Sequence, residues 1–89
     1  MTETVVRAPS VLWRRTFDRV ILLGPDDDEV QTLLGTGVDV WDLLSAPRSV
    51  ESISAALAER FGADPHVVRS DLEDLLERLV TGGSVVRVP

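Results

Sequence analysis

Apolar positions alternate over the first third of the chain and recur at three- and four-residue intervals over the rest. Val11, Trp13, Arg15 and Phe17 share one face of an extended segment, and Leu12, Arg14 and Thr16 the other, which predicts a strand over 11–17. Asp18-Arg19 offers a two-residue turn, without the Gly that the tightest hairpins prefer. Val20-Ile21-Leu22-Leu23 is a continuous apolar run, the pattern of a strand covered on both faces. Gly24-Pro25-Asp26-Asp27-Asp28 breaks regular structure. A third strand follows over 30–34, with Val30, Thr32 and Leu34 on one face and Gln31 and Leu33 on the other.

Helical spacing begins at Thr36, a candidate N-cap with Asp39 three residues later. Val40, Leu43 and Leu44 recur with Trp41 beside them, and Pro47 ends this helix. Ser49 caps a second helix whose stripe is Val50, Ile53, Leu57 and Phe61, with Gly62 as its stop. Asp64 caps a third, Pro65 suits its first turn, and Val68, Leu72, Leu75, Leu76 and Leu79 give it a wide apolar face. Gly82-Gly83 terminates it, and Ser84-Val85-Val86-Arg87-Val88 is an extended tail that can pair with a sheet edge. Strands followed by helices make an α+β domain, a three-stranded antiparallel sheet followed by three helices, in a winged helix-turn-helix-like outline. The 89 residues allow one domain over 1–89, with 1–8 expected to be flexible.

Charge narrows the function. Fifteen Asp and Glu oppose nine basic residues, all Arg, for a net charge of −6. Such a surface repels phosphate backbones and anionic membranes and favours basic partners. A three-helix domain with a small sheet also fits a winged-helix DNA-binding regulator, but a recognition helix should be basic. The third helix here carries Asp64, Asp71, Glu73, Asp74 and Glu77 against Arg69 and Arg78, so nucleic acid is not the expected partner. No apolar run is long enough to span a bilayer and no signal peptide opens the chain, so a cytoplasmic location is expected.

Catalytic chemistry finds no support. There is no Cys and no Lys, and His66 is the only His. A lone His cannot build a metal site, and no Ser sits in a nucleophile elbow. Asp26-Asp27-Asp28-Glu29 lacks the alternate spacing of a calcium loop and reads as a solvated loop. No enzyme activity, cofactor or metal is expected.

One stretch is specific. Leu34-Gly35-Thr36-Gly37-Val38-Asp39-Val40-Trp41-Asp42-Leu43-Leu44 resembles the Leu-x-x-Thr-Gly-x-x-(Ile/Val)-Trp-x-Leu-Leu segment of PqqD-like proteins, the RiPP recognition elements. The opening Pro9-Ser10-Val11-Leu12-Trp13, the Pro47-Arg48-Ser49-Val50 connection and the last helix continue the likeness from 9 to about 86. Each piece also has a plain structural role: Trp41 as a core residue whose indole N–H finds a partner at the edge, and Gly37 in a strand-to-helix turn.

The resemblance implies that the chain binds the leader of a ribosomally made precursor peptide. The leader would dock as an added antiparallel strand on the third strand, in the cleft beside the third helix. Mapped here, the edge is Glu29, Val30, Gln31, Thr32, Leu33 and Leu34. The helix wall is drawn from Val68, Arg69, Leu72, Leu75, Leu76 and Leu79, with Asp71 and Asp74 along one rim. The apolar members serve equally as core, and the stripe is wide enough for either rim to face the cleft. The chain looks most like the stand-alone leader-binding protein of lasso-peptide clusters. That group delivers leaders with a Tyr-x-x-Pro motif to a separate cysteine leader peptidase. The alternative is the peptide chaperone of a radical enzyme in pyrroloquinoline quinone synthesis. The acidic rim adds an expectation of a basic leader.

Overall fold

The structure is a computed structural model and describes residues 3–88. Its elements, in order, are β1 (Thr4–Arg7), β2 (Leu12–Arg15), β3 (Arg19–Leu23), β4 (Gln31–Leu34), α1 (Thr36–Leu43), β5 (Arg48–Ser49), α2 (Val50–Phe61), α3 (Pro65–Thr81) and β6 (Val85–Val88). The expected α+β arrangement of a three-stranded antiparallel sheet followed by three helices is present as β2-β3-β4 and α1 to α3. A second three-stranded sheet, β5-β1-β6, adds to it.

That second sheet corrects, for residues 4–8, the expectation of a flexible start over 1–8. Thr4–Arg7 pairs antiparallel with Val85–Val88 and, at Thr4 and Val5, with β5. Val5 and Ala8 are buried, and the Ala8 N–H donates to the Ser84 carbonyl at 2.9 Å. The ordering rests on backbone pairing with the far end of the chain, which no local pattern announces. Residues 1 and 2 lie outside the described residues.

The β2-β3-β4 sheet is covered on one face only, which corrects the reading of Val20-Ile21-Leu22-Leu23 as buried on both. Val20, Leu22 and Leu33 point into the core, while Ile21 and Leu23 are partly exposed on the outer face. Register places Leu12 opposite Leu23, Ile21 opposite Thr32 and Arg19 opposite Leu34, so these side chains share that outer face. The first strand is shorter than the alternation suggested, and the turn falls one residue earlier, since Arg15 pairs with Val20.

Helix ends follow side-chain chemistry. Ser49 Oγ accepts from the Ser52 N–H at 3.0 Å, and Asp64 Oδ1 from the His66 N–H at 2.9 Å, ahead of Pro65. Gly62 closes α2 in the left-handed conformation, with φ 61°. Thr36 is not the cap expected of it: α1 starts there, and Gly35 precedes it with φ 54°. Helices α2 and α3 pack on each other and on α1 around Val40, Trp41, Leu44, Ile53, Leu57, Leu72, Leu76 and Leu79.

Candidate peptide-binding cleft

Strand β4 pairs with β3 on one side and, among the described residues, has no strand on the other, so alternate N–H and C=O groups of Gln31–Leu34 face open space. Its side chains alternate: Leu33 is buried, Gln31 half-buried, and Thr32 and Leu34 are exposed on the outer face. Gly37 lies against Leu33, where an added Cβ would stand 3.3 Å from the Leu33 Cβ. The free edge overlooks a cleft whose far wall is α3.

The cleft has two compartments. One, of about 260 Å³, is apolar: Val40, Leu57, Phe61, Val67, Val68, Leu72 and Leu75 line it, with Thr36, Gly37, Ala63 and Asp71 completing the lining. The other, of about 720 Å³, lies toward the C-terminal end of α3. It is lined by Asp26, Asp27, Gln31, Asp74, Glu77, Arg78, Thr81 and Gly82. Because Gln31 lines the second and Thr36 and Gly37 the first, β4 runs from the acidic compartment to the apolar one.

A carboxylate orders the β3–β4 loop against the start of β4. Asp27 accepts from the Gly24 N–H and from Gln31 Nε2, both at 3.0 Å. The Asp26 N–H donates to the Gly82 carbonyl at 3.0 Å, joining the β3–β4 loop to the end of α3. A Cβ at Gly24 would fall on that same carbonyl oxygen. The Asp26-Asp27-Asp28-Glu29 stretch, expected as a solvated loop, is therefore a clasp at Asp27, while Asp28 and Glu29 remain exposed.

The α3 residues expected at the cleft divide three ways. Val68, Asp71, Leu72 and Leu75 line the apolar compartment, and Asp74 the acidic one. Leu76 and Leu79 are core, 2% and 0% exposed, as is Leu72 behind its contribution to the wall. Arg69 lies on the opposite flank, paired with Glu51 of α2 at 3.1 Å and with Glu73 at 2.9 Å; the Glu73 hydrogen bond and the Glu51 charge raise its pKa. On the strand side, Gln31, Thr32, Leu33 and Leu34 form the edge, and Glu29 and Val30 precede it. Phe61 and Val67, 51% and 57% exposed at the apolar mouth, were not anticipated as site residues. In the sequence Phe61 is the last member of the α2 stripe, beside the Gly62 stop, and Val67 is an apolar residue in the first turn of α3 next to Val68.

A third apolar surface lies outside the cleft. Leu12 is 69% exposed, Val30 57% and Leu34 55%, and with Ile21 and Leu23 they make the uncovered face of the β2-β3-β4 sheet. Among the described residues no group of three or more His, Asp or Glu is placed to hold a metal ion. No described helix is long and apolar enough to cross a membrane.

An unpaired strand edge above a cleft with a helical wall is a geometry suited to adding an extended segment as a further strand, with its side chains directed at the wall. The chain belongs to the PqqD family: the model described as Coenzyme PQQ synthesis protein D (PqqD) matches residues 19–85. This is the family that the 34–44 segment resembles.

Two solved structures are similar to it. TbiB1, in complex with the TbiA(beta) leader peptide, is 25% identical with a TM-score of 0.79, over 90% of this chain and 93% of that one. The second is the solution structure of the PqqD truncation of Methylobacterium extorquens PqqCD, a functional and stand-alone RiPP recognition element. It is 24% identical, with a TM-score of 0.73 over 94% and 89%, and shows the shared fold. No curated protein matches.

Proposed function

We propose that this chain is a non-catalytic recognition element that binds the leader of a ribosomally made precursor peptide and presents it to a separate leader peptidase in lasso-peptide maturation. The observation that carries the reading is the free edge of β4 over the two-compartment cleft. The leader lies antiparallel to β4, with its main chain bonded to the strand and alternate side chains directed at α3. Several backbone hydrogen bonds at about 1 kcal/mol each, and one or two buried side chains at about 2 kcal/mol each, offset the ordering of a flexible leader. Binding in the micromolar range or tighter follows, about −8 kcal/mol or better. The likeness to TbiB1, whose structure holds a leader peptide, supports this reading.

Presentation needs a second surface, and the outer face of the β2-β3-β4 sheet offers one clear of α3. Leu12, Ile21 and Leu23 there suit an apolar partner surface. The family description keeps one other reading alive, a peptide chaperone for a radical enzyme of pyrroloquinoline quinone synthesis.

A fluorescence-polarisation titration against labelled leader from the precursor encoded nearby tests the proposal. Leaders with Tyr→Ala and Pro→Ala in a Tyr-x-x-Pro motif serve as controls. Saturable binding lost in both controls supports the lasso assignment. Binding indifferent to both favours the chaperone reading. No binding at roughly 100 µM, weaker than about −5.5 kcal/mol, overturns leader recognition by this chain alone.

A further inference from the structure

The two compartments differ in chemistry and lie in a fixed order along β4, and that order constrains the sequence that fits. This inference rests on the leader-binding reading above and specifies it. Side chains of an added antiparallel strand share a face with their partners in β4. Positions level with Leu33 and Gln31 therefore face α3. β4 ends at Leu34 and the chain turns at Gly35, so it is the added strand's own two-residue period that brings its next position, level with Gly35, to the same side. Positions level with Thr32 and Leu34 face away.

The position level with Gly35 stands at the mouth of the apolar compartment, between Gly37 and the Val67–Leu75 side of α3. The position level with Gln31 stands in the acidic compartment. They are four residues apart on the added strand, about 13 Å at the usual rise. An antiparallel strand reaches the apolar position first.

The acidic compartment holds Asp26, Asp27, Asp74 and Glu77 against the single guanidinium of Arg78. Asp27 is engaged with Gly24 and Gln31. Among the described residues, Asp26, Asp74 and Glu77 have no ion-pair partner. A cation arriving level with Gln31 meets three uncommitted carboxylates, and a leader carboxylate there is repelled by them.

We infer that the bound leader carries an apolar side chain followed four positions later by a Lys or Arg. The first fills the pocket of Val40, Phe61, Val67 and Leu75, and the second enters the acidic compartment beside Asp74 and Glu77. The four-residue spacing is the distinctive part, because an odd spacing turns one of the two side chains to the outer face.

The test uses fluorescein-labelled fourteen-residue peptides, soluble and Gly/Ser-rich apart from one Tyr and one charged position. Lys four residues after Tyr should bind about tenfold more tightly than Glu at that place, and the gap should narrow several-fold at 1 M NaCl, where screening acts within about 3 Å. Lys three residues after Tyr should bind no better than a neutral residue there. Asp74→Asn with Glu77→Gln, both exposed on α3, should bring the Lys and Glu peptides within about threefold of each other by losing the charge contrast. Amide exchange on the complex should show protection at the β4 edge. Peptides that protect β4 yet bind equally with Lys, Glu or a shifted Lys would overturn this inference and leave leader binding standing. If neither these peptides nor the natural leader protects β4, both proposals fall.

Discussion

The Arg7 guanidinium donates two hydrogen bonds to the main-chain carbonyl of Trp41, from Nε at 3.0 Å and from Nη2 at 2.6 Å. It also lies 4.6 Å from the Trp13 ring centroid and 4.9 Å from that of Trp41, whose rings meet edge-on at 5.7 Å. One side chain of β1 thereby joins β2 and α1. Burial lowers the Arg7 pKa, and Asp42, 3.9 Å away, opposes that shift. Arg7→Met removes both hydrogen bonds and the stacked charge and should destabilise the fold by about 2–3 kcal/mol. Urea unfolding followed by Trp fluorescence checks this. Arg7→Lys should recover less than half, because an ammonium cannot span the same carbonyl with a planar fork.

The join between the β3–β4 loop and α3 predicts a sensitive glycine. Gly24→Ala places a methyl on the Gly82 carbonyl and should cost about 2–3 kcal/mol in chemical denaturation. Asp27→Ala frees the Gly24 N–H and Gln31 and should cost about 1–2 kcal/mol. The latter should also weaken peptide binding, since Gln31 and the β3–β4 loop, which line the acidic compartment, lose the contact that orders them. Equal affinity in Asp27→Ala and the parent would contradict the clasp.

Core and pocket separate along α3. Leu76→Ala, at a fully buried site, should lose about 3 kcal/mol of stability. Phe61→Ser, at a half-exposed site on the apolar mouth, should change stability by less than about 1 kcal/mol while weakening leader binding about tenfold. Thermal melts and polarisation titrations on the same two variants test the division.

The outer sheet face should act independently of the cleft. Leu12→Asp puts a charge on that face and should leave leader affinity within about twofold of the parent. It should abolish co-purification with the partner enzyme encoded in the same cluster. Retained co-purification would move the partner surface elsewhere.

Acid should loosen two exposed contacts. The Asp18 pKa is lowered chiefly by its hydrogen bond from Arg19, and that of Glu51 by a hydrogen bond from its own backbone N–H and then by Arg69. Each favours the folded state when ionised, so its contribution is present above the unfolded pKa, about 4, and is lost as pH falls through the lower folded value. The melting temperature should hold between about pH 7 and pH 5 and drop below about pH 4. Both groups are exposed to solvent, which makes the drop modest.

Local chemistry was legible in the sequence, and long-range pairing was not. Ser49, Gly62, Asp64 and Pro65 each announce a helix end through a cap or a fixed φ, and the structure has them there. Thr4-Val5-Val6-Arg7 is too short to declare a strand, and its partner lies at the other end of the chain. Among Asp26, Asp27 and Asp28 nothing in composition marks the one that turns inward; the Gly24 and Gln31 donors decide it. The rim of α3 was undecided by periodicity because its stripe is wide. Pairing of Arg69 with Glu51 commits that flank to α2 and leaves Val68, Asp71 and Leu75 for the cleft. Trp41 is buried as its spacing suggests, yet its Nε1 finds no protein acceptor, contrary to the expected edge partner. Arg7 occupies the ring's face and bonds to its carbonyl instead.

The pairing of Thr4 with Val88 brings the first and last strands side by side in one sheet. Cα atoms paired across such a ladder sit about 5 Å apart. A host protein could therefore accept this domain within one of its surface loops, entering and leaving at nearly the same point and opening only a small gap. The fold is portable in that sense: grafting it onto an unrelated enzyme would need no long connectors, and the graft would keep β1 and β6 zipped together.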